Sequence, residues 1–272
     1  MQETTTKTIE VREIRPEDSA ALIDLWRRVF GDPEELAASF LRLLPEMGGG
    51  VAAFADGEPA GAAYIVTGLK VGDKRAAYLY AVAVSPPFRG MGLGERLSVS
   101  AAVLGRRLGA DFVCTLPAQP GLYDWYEKRI GTRCALYRRS EVIDAHEGPA
   151  LIPLSPAAYN ERREELLAGL PHLSLSEAAI TYESINCRCF GGGLYAVGGG
   201  IAAAYVEDGR AVLREVLCSD PAGRPALAAA AASALGCAQA LLYSPGGHGD
   251  EPYLAAEPDA LGTDCVWNLA FD

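Results

Sequence analysis

The sequence lacks any run of about 20 consecutive apolar residues, which is the length that a membrane-spanning helix requires. Residues 1–18 contain no apolar core behind a basic start, so we expect neither a signal peptide nor a membrane partner. The seven cysteines are an odd number, and most of them have apolar neighbours. Such cysteines are typical of buried thiols in a reducing compartment. We therefore expect a cytoplasmic protein.

Histidine is also scarce, with three residues in the chain, and the Cys187–Cys189 pair has no second cysteine pair to accompany it. A structural zinc ion needs four tetrahedral ligands, which these spacings do not supply. We therefore expect no metal.

Positive charge is limited as well, because 24 lysine and arginine residues stand against 35 aspartate and glutamate residues, for a formal net charge of −11. Proteins that bind nucleic acids neutralise phosphates with a basic stripe, so this balance argues against a nucleic-acid partner. Ordinary acidic solubility explains the charge most simply, and attraction of a cationic substrate is the open alternative. A homo-oligomer is compatible with the sequence.

The first half of the chain contains a regular succession of elements. An alternating strand at 7–14 is followed by two helices, over 16–31 and 32–47, and by three strands joined by turns that contain Gly and Asp. A helix at 94–109, a buried strand, a short helix and a further strand complete it. The order β-α-α-β-β-β-α-β-α-β predicts an α/β (α+β) fold with a mixed, mostly antiparallel sheet flanked by helices.

A weaker copy of this order follows in the second half. Two helical segments, at 156–170 and 174–187, lead to a glycine patch and three short strands. An alanine-rich helix at 221–235, one more strand and a last strand at 265–271 end the chain.

This self-similarity predicts two domains of the same kind. Residues 145–156 are proline-rich and break the periodicity, so we place a linker at 146–156. The domains are then 1–145 and 157–272, and their similarity indicates a duplication, because solenoid repeats are much shorter.

Residues 89–94, with the sequence RGMGLG, connect a strand to the helix that follows. Gly90, Gly92 and Gly94 carry no Cβ and tolerate positive φ, so several backbone N–H groups can point into one concavity. The helix adds unpaired first-turn donors and the positive end of its dipole. With Arg89 beside them, these groups predict a phosphate or pyrophosphate site.

Two other phosphate loops do not fit this segment. The GxxxxGK[ST] loop is absent, and the G-x-G-x-G spacing after antiparallel strands differs from the dinucleotide fingerprint. A glycine-rich turn without a ligand is the remaining alternative.

The same segment resembles the [RQ]-x-x-G-x-[GA] signature of the GNAT superfamily of acyl-CoA-dependent N-acyltransferases, and the order of the surrounding elements also matches that family. The resemblance implies that acetyl-CoA is the co-substrate and that loop amides hold its pyrophosphate. The residues so implicated are Arg89, Gly90, Met91, Gly92, Leu93 and Gly94. It also implies that the pantetheine arm pairs with the backbone of Val82, Ala83 and Val84 as an added strand, and that a bulge there directs an amide at the thioester carbonyl.

The stretch PGLYDWYEKRIGT resembles a later motif of that family, Y-x-x-x-G-[FY], whose tyrosine protonates the departing thiolate. The resemblance makes Tyr126 the candidate general acid and Tyr123 the second candidate. A phenol with a pKa of about 10 stays protonated at neutral pH, as this role requires. The spacing departs from the motif by one residue, because Gly131 lies five positions after Tyr126 and Thr132 replaces the aromatic residue. Packing of both tyrosines on the sheet is the alternative.

No residue stands out as the base that deprotonates the acceptor. Four carboxylates remain open for this role: Glu34, Glu35, Glu46 and Asp124. Tyr78 and Tyr80 share one face of the strand that precedes the loop, so they either line the acceptor pocket or pack in the core.

In the second half, the segment at the position of the glycine loop reads VLCSDPAGRPALAAA and lacks alternating glycines. Pro225 removes a donor and Asp220 would repel a pyrophosphate. We therefore interpret the second half as a degenerate GNAT-like domain that does not bind CoA and that supports the first domain or walls its acceptor cleft.

The leading functional prediction is an N-acetyltransferase that moves an acetyl or similar short acyl group from acetyl-CoA to a primary amine of a small molecule or peptide by direct attack. A catalytically silent CoA-binding regulatory or sensor protein is one alternative. A protein that binds another nucleotide through the same loop is the other.

Overall fold

Strands make up much of both halves of the chain. The computed structural model describes residues 9–271, and the strands in that range are β1 (Ile9–Glu13), β2 (Gly48–Ala55), β3 (Glu58–Val71), β4 (Lys74–Val84), β5 (Phe112–Thr115), β6 (Arg133–Asp144), β7 (Ile152–Pro153), β8 (Leu173–Leu175), β9 (Gly193–Val197), β10 (Gly200–Glu207), β11 (Arg210–Leu217), β12 (Gln239–Pro245) and β13 (Glu251–Ala256).

The α-helices of the described residues lie between these strands. They are α1 (Ser19–Phe30), α2 (Glu34–Met47), α3 (Leu93–Arg107), α4 (Gly121–Ile130), α5 (Pro156–Leu167), α6 (Glu177–Cys189) and α7 (Arg224–Ala234). The small side chains of alanine-rich α7 are buried, so this helix packs closely on the sheet. No helix in the range 9–271 has the length and apolar character needed to cross a membrane.

All thirteen of these strands belong to one sheet. The order across it is β1-β2-β3-β4-β5-β13-β6-β12-β11-β10-β9-β7, and β8 pairs with β3. Only β4–β5 and β11–β12 are parallel among these strand pairs, so the prediction of a mixed, mostly antiparallel sheet is confirmed. The order of elements predicted for the first half is also found, from β1 through α4 to β6.

The prediction of a final strand at 265–271 is wrong. Residues 251–256 form the last strand instead, whereas the 265–271 segment makes a single bridge, from Val266 to His172. Alternating buried residues such as Cys265, Trp267 and Leu269 imitate a strand. Side chains rather than a neighbouring strand satisfy the backbone groups at its end, as described below.

The last strand of the second half pairs with strands of the first half, and the last strand of the first half pairs with a strand of the second. Strand β13 lies between β5 and β6, and β6 in turn pairs with β12 of the second half. Strand β7, which lies inside the predicted linker, pairs with β9. The parallel pair β11–β12 is connected through α7 as β4–β5 is connected through α3. The division into domains 1–145 and 157–272 stays a prediction, as does the second GNAT-like domain.

A cluster of aromatic rings fills the core where the halves meet. The ring of Phe40 lies 5.1 Å from that of Tyr64 and 5.0 Å from that of Tyr182, measured between ring centroids. Tyr182 belongs to α6, and its ring is also 5.5 Å from that of Phe271. Because α6 and the C-terminal segment pack against β3 and β4 in this way, residues of the second half border the cleft described next.

Candidate active site

The parallel strands β4 and β5 part beside a cleft. Their pairing runs from Ala76 opposite Phe112 to Leu79 opposite Thr115, where β5 ends. Strand β4 continues to Val84. Its last five residues therefore have no strand neighbour on this side in the part of the chain that the structure describes, and this edge is open to an added strand.

A β-bulge lies at the beginning of this open edge. Tyr80 pairs with Tyr64 and Ala83 pairs with Ala62, so two residues of β4 lie opposite one residue of β3. Ala81 has a φ of 46°, an unusual value for a residue with a side chain. The bulge that the family resemblance implies is thus present, and it turns backbone groups of residues 81–82 out of the regular ladder.

The far end of the edge presents the peptide of Val84. Ser85 donates its N–H to Ala60 of β3 at 2.9 Å, so the alternation of an antiparallel ladder directs the Val84 groups to the opposite side. Arg89 approaches on that side and donates its Nε–H to the Val84 carbonyl oxygen at 3.1 Å. The arginine of the loop is thereby fixed beside the open edge.

The glycine loop is exposed at Gly90, Met91 and Gly92. Gly90 and Gly92 have φ angles of +78° and +74°, which glycine adopts without strain. Helix α3 begins directly afterwards at Leu93. Within residues 9–271, no protein acceptor is recorded for the backbone N–H groups from Gly90 to Gly94. Five consecutive donors at a helix N-terminus are therefore available to an anion.

The space beside Gly90 and Gly92 is open, whereas Gly94 lies near a side chain. A Cβ built on Gly90 or Gly92 would meet nothing within 4 Å, whereas one on Gly94 would lie 3.8 Å from the ring of Trp125. Leu93 is buried and anchors the helix, and Met91 is exposed. The predicted loop residues therefore lie together at the start of α3, with open space beside Gly90 and Gly92.

A cavity of about 530 Å³ lies at the point where β4 and β5 separate. Its lining comes from both halves: Trp26, Phe30, Asp32, Leu36, Tyr78, Leu79, Tyr80, Ala81, Val82, Thr115, Leu116, Ala118, Leu122, Tyr126, Asn186, Phe190, Tyr205, Glu207, Ala270 and Phe271. The bulge and Val82 border it. It therefore adjoins the beginning of the open edge of β4, whose other end leads to the glycine loop.

Tyr126 reaches this cavity, and Tyr123 does not. Tyr126 is buried, and its ring meets that of Trp125 edge-on with centroids 4.9 Å apart. Burial raises the pKa of Tyr126 to about 12, and its hydrogen bond with the Thr115 side chain acts in the opposite direction. Tyr123 lies on another surface, where its hydroxyl donates to the Tyr253 carbonyl oxygen at 2.9 Å.

Tyr78 and Tyr80 both line the cavity and hold the C-terminal segment. The Tyr78 hydroxyl donates to the Ala270 carbonyl oxygen at 2.8 Å, and the Tyr80 hydroxyl donates to the Phe271 carbonyl oxygen at 3.0 Å. Burial raises the pKa of Tyr80 above the usual tyrosine value. The two predicted roles of this pair, cavity lining and core packing, are combined in one position.

The carboxylates that line the cavity are Asp32 and Glu207. None of the four predicted candidates (Glu34, Glu35, Glu46 and Asp124) is part of its lining. Asp32 accepts a hydrogen bond from the indole Nε1–H of Trp26 at 2.7 Å. The sequence places Asp32 directly after Gly31, where the first helix ends. No sequence pattern indicated that Asp32 and Glu207 of β10 line the same cavity.

The second half has a β-bulge in β11, and the extra residue of that bulge is an arginine. Ala203 pairs with Glu215 and Ala204 with Leu213, so Arg214 is the extra residue of a bulge in β11. Its Nη1 donates to the buried Glu183 carboxylate at 2.8 Å. The Asp220 carboxylate accepts from the Ala222 N–H. These contacts agree with the expectation that this half does not bind CoA, which stays a prediction.

No group of three or more His, Cys, Asp or Glu side chains that could hold a metal ion occurs in the range 9–271. The cysteines of this range are free thiols.

The strands β4 and β5 part beside a bulge, and a glycine loop at the start of α3 follows them, as the resemblance to the GNAT superfamily implies. The acetyltransferase (GNAT) family model matches residues 15–132. Residues 15–132 are therefore similar to the GNAT acetyltransferases. The family match supports acyl transfer as the class of reaction.

Solved structures with the same fold cover nearly the whole chain. A GCN5-related N-acetyltransferase from Kribbella flavida has a TM-score of 0.68 at 17% identity, over 92% of this chain and 71% of that one. One from Anabaena variabilis gives 0.66 at 15%, over 92% and 72%. A putative acetyltransferase from Pyrococcus horikoshii gives 0.61 at 16%, over 97% and 92%. No curated protein matches the sequence significantly.

Proposed function

We propose that the protein is an N-acetyltransferase that transfers an acetyl or similar short acyl group from acetyl-CoA to a primary amine of a small molecule or peptide. The observation that carries this proposal is the row of unpaired amides from Gly90 to Gly94 beside the open edge of β4. A diphosphate accepts hydrogen bonds from several such donors at once and is favoured by the helix dipole.

The rest of the co-substrate follows the open edge in this proposal. The pantetheine arm pairs with the backbone of Val82, Ala83 and Val84 as an added strand. Arg89 is held at the Val84 carbonyl through its Nε and has its Nη groups available for phosphate oxygens. The thioester then reaches the bulge at Ala81, where a displaced amide polarises the carbonyl.

Chemistry takes place in the cavity between the strands. A neutral amine attacks the thioester carbonyl carbon, a C–N bond forms, and the C–S bond breaks. The hydroxyl of Tyr126 donates its proton to the departing sulfur, while the proton of the attacking nitrogen leaves to solvent. Because burial raises the pKa of Tyr126 to about 12, the phenol is protonated when the thiolate forms.

The proposal is tested by binding and by turnover separately. CoA, ATP and NAD are compared by thermal shift, and a ligand present at 100 times its Kd stabilises the protein by about 2.7 kcal/mol. Only CoA and acetyl-CoA should raise the melting temperature. Release of free thiol from acetyl-CoA in the presence of an amine panel then reports turnover. Tight CoA binding without thiol release in a broad panel would favour the sensor function instead.

A further inference from the structure

One buried polar side chain in the cavity has no hydrogen-bond partner among the residues that the structure describes. Asn186 lies on α6, is 5% exposed and lines the cavity. Among residues 9–271, no hydrogen bond is recorded for its side chain. Buried amides of this kind are nearly always hydrogen-bonded, because an unpaired buried polar group is costly. Asn186 therefore presents an unused donor and acceptor to whatever enters the cavity.

Two carboxylates border the same space. Asp32 comes from the first half and Glu207 from the end of β10. The described lining contains neither lysine nor arginine. Much of the remaining wall is aromatic, including the exposed rings of Phe30 and Phe190. An acidic site with walls of low polarity concentrates cations, and aromatic faces attract them further.

The attacking nitrogen accounts for at most one of these two carboxylates, as the partner of its ammonium form or as the acceptor of its proton. It must lose its proton before it reacts, and at that point it is neutral. A second cationic group on the same molecule stays protonated throughout and matches the two carboxylates. The amide oxygen of Asn186 supplies a neutral acceptor for the same ammonium group.

We propose that the acceptor is a diamine: one nitrogen is acetylated, and the other binds as an ammonium among Asn186, Asp32 and Glu207. This inference rests on the proposed N-acetyltransferase function. It assigns a residue of the second half, Asn186, to substrate binding.

The test compares amines that differ in one ammonium group. Diaminopentane is paired with pentylamine, and diaminooctane with octylamine, in the thiol-release assay with acetyl-CoA. We expect kcat/KM for the diamine to exceed that of its monoamine by about ten- to a hundredfold, the range given by a hydrogen bond to a charged group. Equal values for both members of each pair would overturn the proposal.

Variants separate binding from folding. Asn186→Leu and Glu207→Gln should each reduce the preference for the diamine by about tenfold, with the KM for acetyl-CoA unchanged. Asn186→Asp should preserve or raise the preference, because it adds negative charge at the same point. Glu147→Gln removes an exposed carboxylate outside the cavity and is the matched control. A preference that is unaltered in Asn186→Leu would contradict the assignment.

Calorimetric titration with CoA keeps the two proposals distinguishable. If CoA binds but no diamine is acetylated, the diamine proposal is overturned and CoA binding stands. If CoA does not bind, the proposed function fails, and the diamine proposal fails with it.

Discussion

Tyr80 donates its hydroxyl to the carbonyl oxygen of Phe271, which lies 191 residues later in the chain, at 3.0 Å. The N–H of Phe271 donates in turn to the buried Glu183 carboxylate at 2.9 Å. The C-terminal segment is thus held between a strand of the first half and a helix of the second. Ala270 and Phe271 of this segment form part of the cavity wall. The hydrogen bonds that hold the segment therefore also maintain the shape of the cavity.

Replacement of Glu183 by glutamine should destabilise the protein strongly. The change removes the carboxylate charge that Glu183 sets against the buried Arg214 guanidinium, and loss of one member of a buried ion pair costs about 3–5 kcal/mol. Urea unfolding measures the difference. Glu34→Gln breaks the exposed Arg27–Glu34 pair and should change the free energy of unfolding by less than about 1 kcal/mol. Equal stabilities of the two variants would mean that the buried pair does not hold this region.

An alanine at position 92 should weaken CoA binding by about tenfold or more. The new Cβ lies in the open concavity and competes with the diphosphate for the amides. Strain at a positive φ costs about 1–2 kcal/mol of stability in addition. Gly236→Ala is the control, because Gly236 has a φ of +73°, has no atom within 4 Å of its Cβ position, and is remote from the loop. Calorimetry with CoA should show normal affinity in the control; equal losses in both variants would assign the effect to strain alone.

Tyr126→Phe should lower kcat by about a hundredfold or more, because the departing thiolate loses its proton donor. The KM for acetyl-CoA should stay the same, since the ring remains in place. Tyr123→Phe removes a hydroxyl bonded to the Tyr253 carbonyl oxygen, so it should cost about 1 kcal/mol of stability and leave kcat nearly unchanged. The reverse pattern in steady-state kinetics would make Tyr123 the acid.

With a monoamine as the acceptor, the pH dependence of kcat/KM should show only a rising limb up to about pH 10. An aliphatic amine with a pKa of about 10 becomes more reactive as pH increases toward that value. The raised pKa of Tyr126, about 12, keeps the general acid protonated over the same interval. The rate should therefore increase up to about pH 10 without a decline. A fall in kcat/KM that begins near pH 8 or 9, with the protein still folded by circular dichroism, would exclude a buried tyrosine as the acid.

The element order of the first half and the glycine loop could be predicted from the sequence, because both depend on residues that are close together in the chain. Glycines at 90 and 92 adopt positive φ angles, and turn residues separate the strands of the first half at short intervals. A helix start directly after such a loop indicates an anion site whatever the rest of the fold. The order of elements in the first half was therefore predictable.

The acceptor side of the cavity was not predictable, because its residues come from distant segments. Asp32, Asn186 and Glu207 line one cavity although they lie far apart in the sequence. The placement of β13 between β5 and β6 likewise depends on long-range pairing, which competes with an equally strand-like pattern at 265–271. A periodic pattern indicates which face is buried, but it does not identify the partner.

Amide hydrogen exchange over residues 89–96, with and without CoA, shows whether the glycine loop binds the diphosphate of CoA. In the free protein, the N–H groups from Gly90 to Gly94 should exchange rapidly, because no protein acceptor is recorded for them among the described residues. Saturating CoA should slow their exchange, and it should slow that of Val82 and Val84 together with them. Protection confined to other regions, or amides already protected without CoA, would mean that this loop does not bind CoA.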